Sequence, residues 1–426
     1  MNFSEEFLHF IWQSRLYGAQ KLTTSSGEAI EVIATGILNK DAGPDFSNAR
    51  ILIADTIWIG NVEIHIRSSD WLLHGHQLDE AYENVILHVV YDDDQPIYRR
   101  DGTAIPVLVI KDLIPNYLLD NYERLITSTN RFPCEPQIHE IDEFFIQSFL
   151  SRVMVERMVE KSVDVERKLK ELTGDWDEAF YHLMAKSFGF KVNAVPMEIM
   201  AQSLPRQLLA KHKDQPLQIE ALIFGQAGFL NQAFTEVYPK QLKREYLFLK
   251  KKYGLKPIDV SLWKFMRMRP QNFPTLRLAQ FAALIVNSNH LFSKILTVKN
   301  YQNLERLFEQ LPVHPFWDTH YHFNKKADHV GLQLGKSSIQ NILINTLSLF
   351  LFVYGQQTDQ YMYVDRAFQL LENIPAENNA IVRQYISADV VVKNAFASQA
   401  LLQLKKKYCN EKKCLNCGIG IKILNQ

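Results

Sequence analysis

Cysteine is scarce in this chain, four residues in 426. Such a small set, in the cytoplasmic setting the rest of the sequence suggests, points away from disulfides and towards metal ligation or plain burial. A basic n-region followed by an apolar stretch is also missing at the start. MNFSEEFLHFIWQSRL places its acids before its apolar residues, which argues against a secretory signal peptide. Long apolar runs are absent as well. The longest, such as Ile342 to Tyr354, is interrupted by Asn345, Thr346 and Ser348, short of the roughly 20 residues a membrane-crossing helix needs. No fixed internal period argues for a repeat solenoid, and no low-complexity linker divides the chain. The expectation is a soluble, cytoplasmic protein without a membrane partner.

Net charge is lacking too, with 47 basic against 47 acidic side chains, but the balance is local rather than uniform. Residues 1–139 carry 20 acidic and 10 basic side chains, whereas Lys240 to Gln280 holds 11 basic residues against only Glu245 and Asp259. An acidic lobe suited to metal chemistry and a basic segment suited to phosphate would give this pattern, as would two lobes with ordinary solvated faces. With 47% hydrophobic and 22% charged residues, the composition is that of a globular chain with room for two or three domains.

The first 135 residues read as α+β with a mixed sheet. Ser4 to Tyr17 has helical spacing of Phe7, Leu8, Phe10, Ile11 and Leu16. Ile- and Val-rich runs at Ala29–Ile37, Ala49–Ile53, Ile57–Ile66, Val85–Tyr91 and Ile105–Ile110, bounded by Gly, Asp, Asn or Pro, read as strands. Leu78 to Glu83 reads as a short helix before the strand at Val85. From about Ile141 the periodicity becomes helical, beginning with Phe144 to Leu172. The expected organisation is an α+β lobe over 1–135, a large mostly α-helical domain over 136–400, and a basic, cysteine-containing C-terminal tail over 401–426.

Chemistry-bearing residues gather in the first lobe. Asp45 follows Pro44, and Glu63 lies eighteen residues on, inside Ile57–Ile66. Strand alternation puts Glu63, His65 and Arg67 on one face and Val62, Ile64 and Ile66 on the other. The same alternation is ordinary for a hairpin with one wet face. His74 and His76 flank Gly75 and can share a side of the chain, where imidazoles suit a transition metal or a proton-transfer role. His88, between Leu87 and Val89, reads as a core histidine. Cys409, Cys414 and Cys417 can converge on one ion, and Cys134 is the only other thiol to complete a set of four. In that case the metal would clasp the C-terminus to the α+β lobe. Zn²⁺, a 4Fe–4S cluster and simple burial all remain open. Arg267, Arg269 and Arg277 lie among aromatic residues, a combination that can hold nucleic-acid phosphate and bases. Leu242, Leu247 and Leu249 point instead to core helix for much of that stretch, and Lys250–Lys252 reads as a solvated face. Gly335-Lys336-Ser337 lacks the glycine spacing of a phosphate-binding loop.

The runs GPDF, GNVEIHIRSSDW, HGH, YENVILHVVYDDD, AFYHLMAKSFGFKVNAVP, QIEALIFGQAGFL, MRPQNFPTLRLAQ and KCLNCGIG resemble an uncharacterised bacterial family filed as a domain of unknown function. That resemblance spans essentially the whole chain and implies no activity. A more distant resemblance, over about residues 1–110, is to the PD-(D/E)XK nuclease superfamily, with His65 where that motif carries lysine. It implies a restriction-endonuclease-like lobe that binds Mg²⁺ or Mn²⁺ through Asp45 and Glu63. His65 would orient water, Arg67 would assist phosphate, His74 or His76 would transfer a proton, and the three arginines would hold DNA or RNA. Some exonucleases of that superfamily hold a 4Fe–4S cluster with one remote and three C-terminal cysteines, similar in outline to Cys134, Cys409, Cys414 and Cys417. The leading expectation is therefore a metal-dependent nuclease. Its rivals are a non-catalytic nucleic-acid-binding or assembly protein on the same scaffold, and a metal hydrolase of small substrates with His74 and His76 as ligands.

Overall fold

A computed structural model describes residues 3–18, 21–288 and 290–426. The chain forms an N-terminal α+β lobe followed by a mostly helical region. It divides into two compact units: residues 1–149 together with 383–391 and 403–426, and residues 150–382 together with 392–402. This partition differs from the expected 1–135, 136–400 and 401–426. The cysteine-bearing tail is part of the first unit rather than a region of its own, and the first boundary falls inside the long helix Glu143–Glu171.

The first unit begins with α1 (Glu5–Gln13), whose Phe7, Leu8, Ile11 and Trp12 are buried. Burying each such side chain contributes roughly 1.5–3 kcal/mol, enough to hold a nine-residue helix that would be marginal alone. Seven strands follow: β1 (Leu22–Thr23), β2 (Ala29–Ala34), β3 (Ile37–Leu38), β4 (Phe46–Ile53), β5 (Thr56–Arg67), β6 (Val85–Asp92) and β7 (Val107–Val109). They form one mixed sheet in the order β1-β2-β4-β5-β6-β7, with β3 paired to β4. Pairing is antiparallel from β1 through β5 and parallel for β5–β6 and β6–β7.

The switch from antiparallel to parallel pairing divides β5 into two halves. Ile57, Trp58 and Ile59, in the hairpin with β4, are exposed. Val62 to His65, alongside β6, are buried on both faces. A parallel strand is normally covered on both sides because its crossover returns over the sheet. Here α1 and the crossover helix α2 (Asp70–Leu73) both pack on β5. The face carrying Glu63 and His65 is therefore dry, not the wet face that alternation alone suggests. The short helix expected at Leu78–Glu83 is instead two 3₁₀ turns, His76–Leu78 and Glu80–Tyr82, the second capped by the Asp79 carboxylate accepting from Ala81 N.

After β7 comes α3 (Asn116–Thr127), on which the C-terminal segment is fastened. Asn121 Nδ2 donates to the Ile423 and Leu424 carbonyls, and the Lys412 ammonium donates to the Ile126 carbonyl.

The second unit is built from helices around an aromatic core. Phe350 is fully buried against the rings of Trp176, Phe180 and Phe292. It belongs to a continuous helix, Lys336–Gln357, longer than the Ile342–Tyr354 run. By length and composition that helix could cross a membrane, but 67% of its most apolar window is buried inside the protein, as befits a core helix. Lys250–Lys252 occupy the last turn of Val237–Tyr253, where positive charge complements the helix dipole. Within this unit Arg277 is buried. Its guanidinium donates to Gln280 Oε1, Asn272 Oδ1 and Ser338 Oγ and lies over the Phe190 ring. Arg277 is thus committed to the interior, unlike the phosphate contact expected of it, whereas Arg267 and Arg269 are exposed.

A candidate metal centre on the fifth strand

The sheet register brings together residues far apart in the chain. Parallel pairing sets His88 on β6 directly beside Glu63 on β5, so both side chains share the covered face with His65. Asp45, just before β4, exchanges two contacts with β5: its backbone N–H donates to Glu63 Oε2 at 3.0 Å, and its Oδ2 accepts from Ile64 N at 2.9 Å. These bonds fix both carboxyl groups to the framework rather than leaving them on flexible stems.

Two further histidines arrive from the crossover. The turn after β5 is locked by Asp94, whose carboxylate accepts from Ser69 Oγ, Ser69 N and Ser68 Oγ, and by Asp70, which accepts from Arg67 N. Helix α2 then ends at His74, and Gly75 in the left-handed region (φ 76°) turns the chain so that His76 comes back towards β5. The His76 ring stacks on Tyr82 with centroids 3.8 Å apart and meets Trp71 edge-on at 5.4 Å. Trp71 and Tyr82 belong to a small core with Val85, Ile97 and Ile105, which anchors the turn.

The resulting cluster holds five imidazoles and two carboxyl groups. His65 Nε2 lies 3.1 Å from His74 Nδ1 and 3.5 Å from Glu63 Oε1; His76 Nε2 lies 3.2 Å from the same Glu63 oxygen. On the other side of its ring, His65 Nδ1 is 2.9 Å from His88 Nε2. His9 of α1 closes the cluster, with Nε2 3.2 Å from Asp45 Oδ2. Among the described residues, His65, His74 and His76 form a trio whose ligand atoms all lie within 4.8 Å of one another. His65 is buried, His76 half-buried and His74 exposed, so the trio reaches from the interior to the surface.

The electrostatics follow from this geometry. Burial, reinforced by the neighbouring His88, His76, His74 and His9, pushes His65 down to about 2, and burial takes His88 down to about 4. Both rings are thus neutral near pH 7 and have lone pairs to offer. Burial raises the Glu63 carboxyl and outweighs the opposing pull of His76; the Asp45 charge adds to the rise, while the Asp45 N–H works against it. For His9, burial favours the neutral ring, but the bond to Asp45 and the charges of Asp45, Glu5 and Glu63 outweigh it and raise the pKa.

The three imidazoles are a donor set that could hold a metal ion. His76 Nε2 is buried without an aligned hydrogen bond although it sits beside Glu63, which is a cost in a folded protein unless something else satisfies it. Two ligands of one tetrahedral Zn²⁺, each at about 2.0–2.1 Å, stand about 3.3 Å apart. The 3.1 Å between His65 and His74 is close to that value, the three imidazoles as a set lie within 4.8 Å, and Glu63, 3.5 Å from His65 and 3.2 Å from His76, stands beside the set rather than in it. If His65 donates its Nδ1–H to His88, its Nε2 lone pair faces the trio, as in metal ligands oriented by an outer partner.

Of the residues expected at the site, Asp45, Glu63, His65, His74 and His76 are brought together, and Arg67 is exposed at the end of β5. The carboxyl groups take different partners, Asp45 meeting His9 and Glu63 meeting His65 and His76. Sequence reasoning missed His9; it assigned His88 to the core, where the ring is fully buried and its Nε2 meets His65. His9 lies one helical turn after Glu5, a spacing that puts both on one helix face. His88 becomes recognisable only once the β5–β6 register is known.

Fold and site together describe an α+β lobe carrying a histidine-rich candidate metal centre, joined in one chain to a helical unit. The chain belongs to the protein family of unknown function DUF2851, whose model matches residues 5–380. No curated protein and no solved structure matches it, and the comparisons lend no support to the nuclease-like resemblance.

Proposed function

We propose that the first unit binds a divalent transition-metal ion between Glu63, His65, His74 and His76 and hydrolyses phosphodiesters, with nucleic acid as the substrate class. The observation that carries this reading is the trio of imidazoles converging beside a buried carboxylate. Three nitrogens and one oxygen suit Zn²⁺ or Mn²⁺ better than Mg²⁺, which prefers oxygen ligands. Such an ion supplies Lewis acidity to a phosphoryl oxygen and acidifies water. His9, held by Asp45 at the margin of the cluster, is the group suited to give a proton to the leaving oxygen. Arg67, exposed at the end of the same strand, is suited to the substrate phosphate. The nucleic-acid part of the reading rests on the order helix, antiparallel strands, crossover helix and parallel strand, which is similar to the nuclease superfamily core, and on exposed Arg267 and Arg269 in the second unit.

The test is cleavage of single- and double-stranded DNA and RNA with Zn²⁺, Mn²⁺ or Mg²⁺. His74→Ala and Glu63→Gln are each expected to lower the rate and the metal affinity by about 100-fold. Because His74 is exposed, its variant should keep the thermal stability of the parent. Absence of cleavage under all these conditions overturns the catalytic part.

A second reading, a non-catalytic nucleic-acid-binding or assembly protein, is favoured by one observation: His65 is only 1% exposed, out of a substrate's direct reach. Stoichiometric metal and salt-sensitive nucleic-acid binding without cleavage would support it. Cleavage confined to small phosphodiesters would instead favour a small-substrate hydrolase with the same ligands.

A further inference from the structure

All four cysteines of the chain lie in the first unit, although 275 residues separate Cys134 from Cys409. Cys134 sits in the loop after α3, where its carbonyl accepts from Gln137 N and Ile138 N. Cys409 ends a π-turn, Lys405–Cys409; Cys414 opens a 3₁₀ turn; and Cys417 precedes the helix Gly418–Leu424. None is in a disulfide, and Cys134, Cys414 and Cys417 are buried. Cys134 lies within the electrostatic reach of the other three sulfurs, each of which disfavours a thiolate there.

Burial pushes all four thiols above their ordinary range, and polar groups near two of the sulfurs work against it. The backbone N–H groups of Ile419 and Gly420, two and three residues on, are directed at the Cys417 sulfur. Tyr385 Oη is 3.2 Å from Cys409 Sγ, and Lys405 adds positive charge near the same sulfur. The turn is also built for closeness: a Cβ at Gly420 would lie 2.3 Å from the Cys414 carbonyl oxygen, so only glycine lets the chain fold back there. Around the cluster, Phe132 stacks on Tyr385 at 4.3 Å, and the Lys405 ammonium donates to the Arg131 carbonyl.

We propose that Cys134, Cys409, Cys414 and Cys417 bind one iron–sulfur cluster, which fastens residues 403–426 to the loop after α3; among the described residues no three of these sulfurs lie within 4.8 Å of one another, a wider spacing than the about 3.8 Å between thiolates on a single tetrahedral Zn²⁺. Binding displaces the thiol protons and involves no electron transfer by the protein. The centre is structural and distinct from the histidine site, because its ligands are all sulfur and it shares no residue with that site.

The test uses the full chain, purified without oxygen from cells supplied with zinc and iron, and read by metal analysis, acid-labile sulfide, visible absorption and X-ray absorption at the metal edge. One zinc per chain with sulfur-only neighbours and no iron overturns the cluster. Iron and sulfide in equal amounts, with broad visible absorption, support a cluster. Cys414→Ser and Cys417→Ser are expected to reduce this sulfur-bound metal at least tenfold, whereas His74→Ala leaves it unchanged. Metal bound only through nitrogen and oxygen, or no metal at all, overturns the proposal without bearing on the histidine site. If the cysteine variants do not fold, the sulfur-neighbour signal of the unaltered chain decides alone.

Discussion

Among the described residues two glutamates are buried, one in each unit, and their surroundings differ. Glu220, in the second unit, accepts a 3.0 Å hydrogen bond from Tyr238 Oη, which in turn is 3.3 Å from Trp317 Nε1. Nearby Gln226 is similarly provided for: its amide donates to Ser203 and Lys256, and its oxygen accepts from Tyr246. Glu63, in the first unit, faces imidazoles instead, and one of these has a buried nitrogen without an aligned hydrogen bond. A buried polar group with its partners in place is a packing solution. One surrounded by spare lone pairs is a place for something else. That contrast, rather than burial or charge alone, separates a candidate site from structural polarity.

The largest effect that sharpens this comparison concerns pH. Burial pushes Glu220 up to about 7, with Tyr238 pulling the other way. Its folded pKa thus exceeds the ordinary value of 4.5, so the folded state binds the proton more tightly than the unfolded chain. The stability it contributes is complete below pH 4.5 and is lost as pH rises through about 7, a change of about 3 kcal/mol. Denaturant unfolding between pH 5 and 8, followed by tryptophan fluorescence, should show this loss. Glu220→Gln should flatten the profile while leaving metal binding untouched. A profile equally steep in the variant would remove Glu220 as its source and weaken the contrast with Glu63.

A smaller effect is expected at His88, which touches the trio only through the far nitrogen of His65. Outer partners of this kind typically account for 10–100-fold in metal affinity. His88→Phe keeps an aromatic ring and removes both nitrogens, so calorimetric titration with Zn²⁺ should show a loss in that range with ligand count unchanged. An unaltered affinity would return His88 to the role of a core histidine.

How much of this was legible beforehand depends on the distance over which a feature is determined. Strands β4, β5 and β6 were readable because Ile- and Val-rich runs bounded by turn residues are local signals. The wetness of the Glu63 face was not, because α1 and the crossover that cover it come from elsewhere in the chain. Asp45, Glu63, His65, His74 and His76 stood out as residue types at suggestive spacing. Their real partnerships depended on a parallel register that no alternation pattern specifies. Arg277 shows the converse error: in sequence it is one more arginine in a basic stretch, and only the fold reveals its guanidinium spent on Gln280, Asn272 and Ser338. The tail illustrates the same limit, since its place beside the loop of Cys134 is set by contacts remote in sequence, such as Lys405 to the Arg131 carbonyl.

The smallest predicted effect tests whether the crossover positions the site or merely accompanies it. Gly75 has φ 76°, and a Cβ built there would meet no atom within 4 Å. Substitution therefore brings no clash, and its whole cost is the left-handed backbone, about 1 kcal/mol for alanine and less for asparagine. Gly75→Ala can keep the turn and lose that stability, seen as a lower melting temperature. Alternatively it can relax the turn, and then His74 and His76 separate and Zn²⁺ affinity falls. Gly75→Asn should preserve both properties. If alanine, asparagine and a β-branched valine all bind Zn²⁺ like the parent, the two histidines do not depend on this turn, and the comparison between a built site and ordinary packing loses one of its supports.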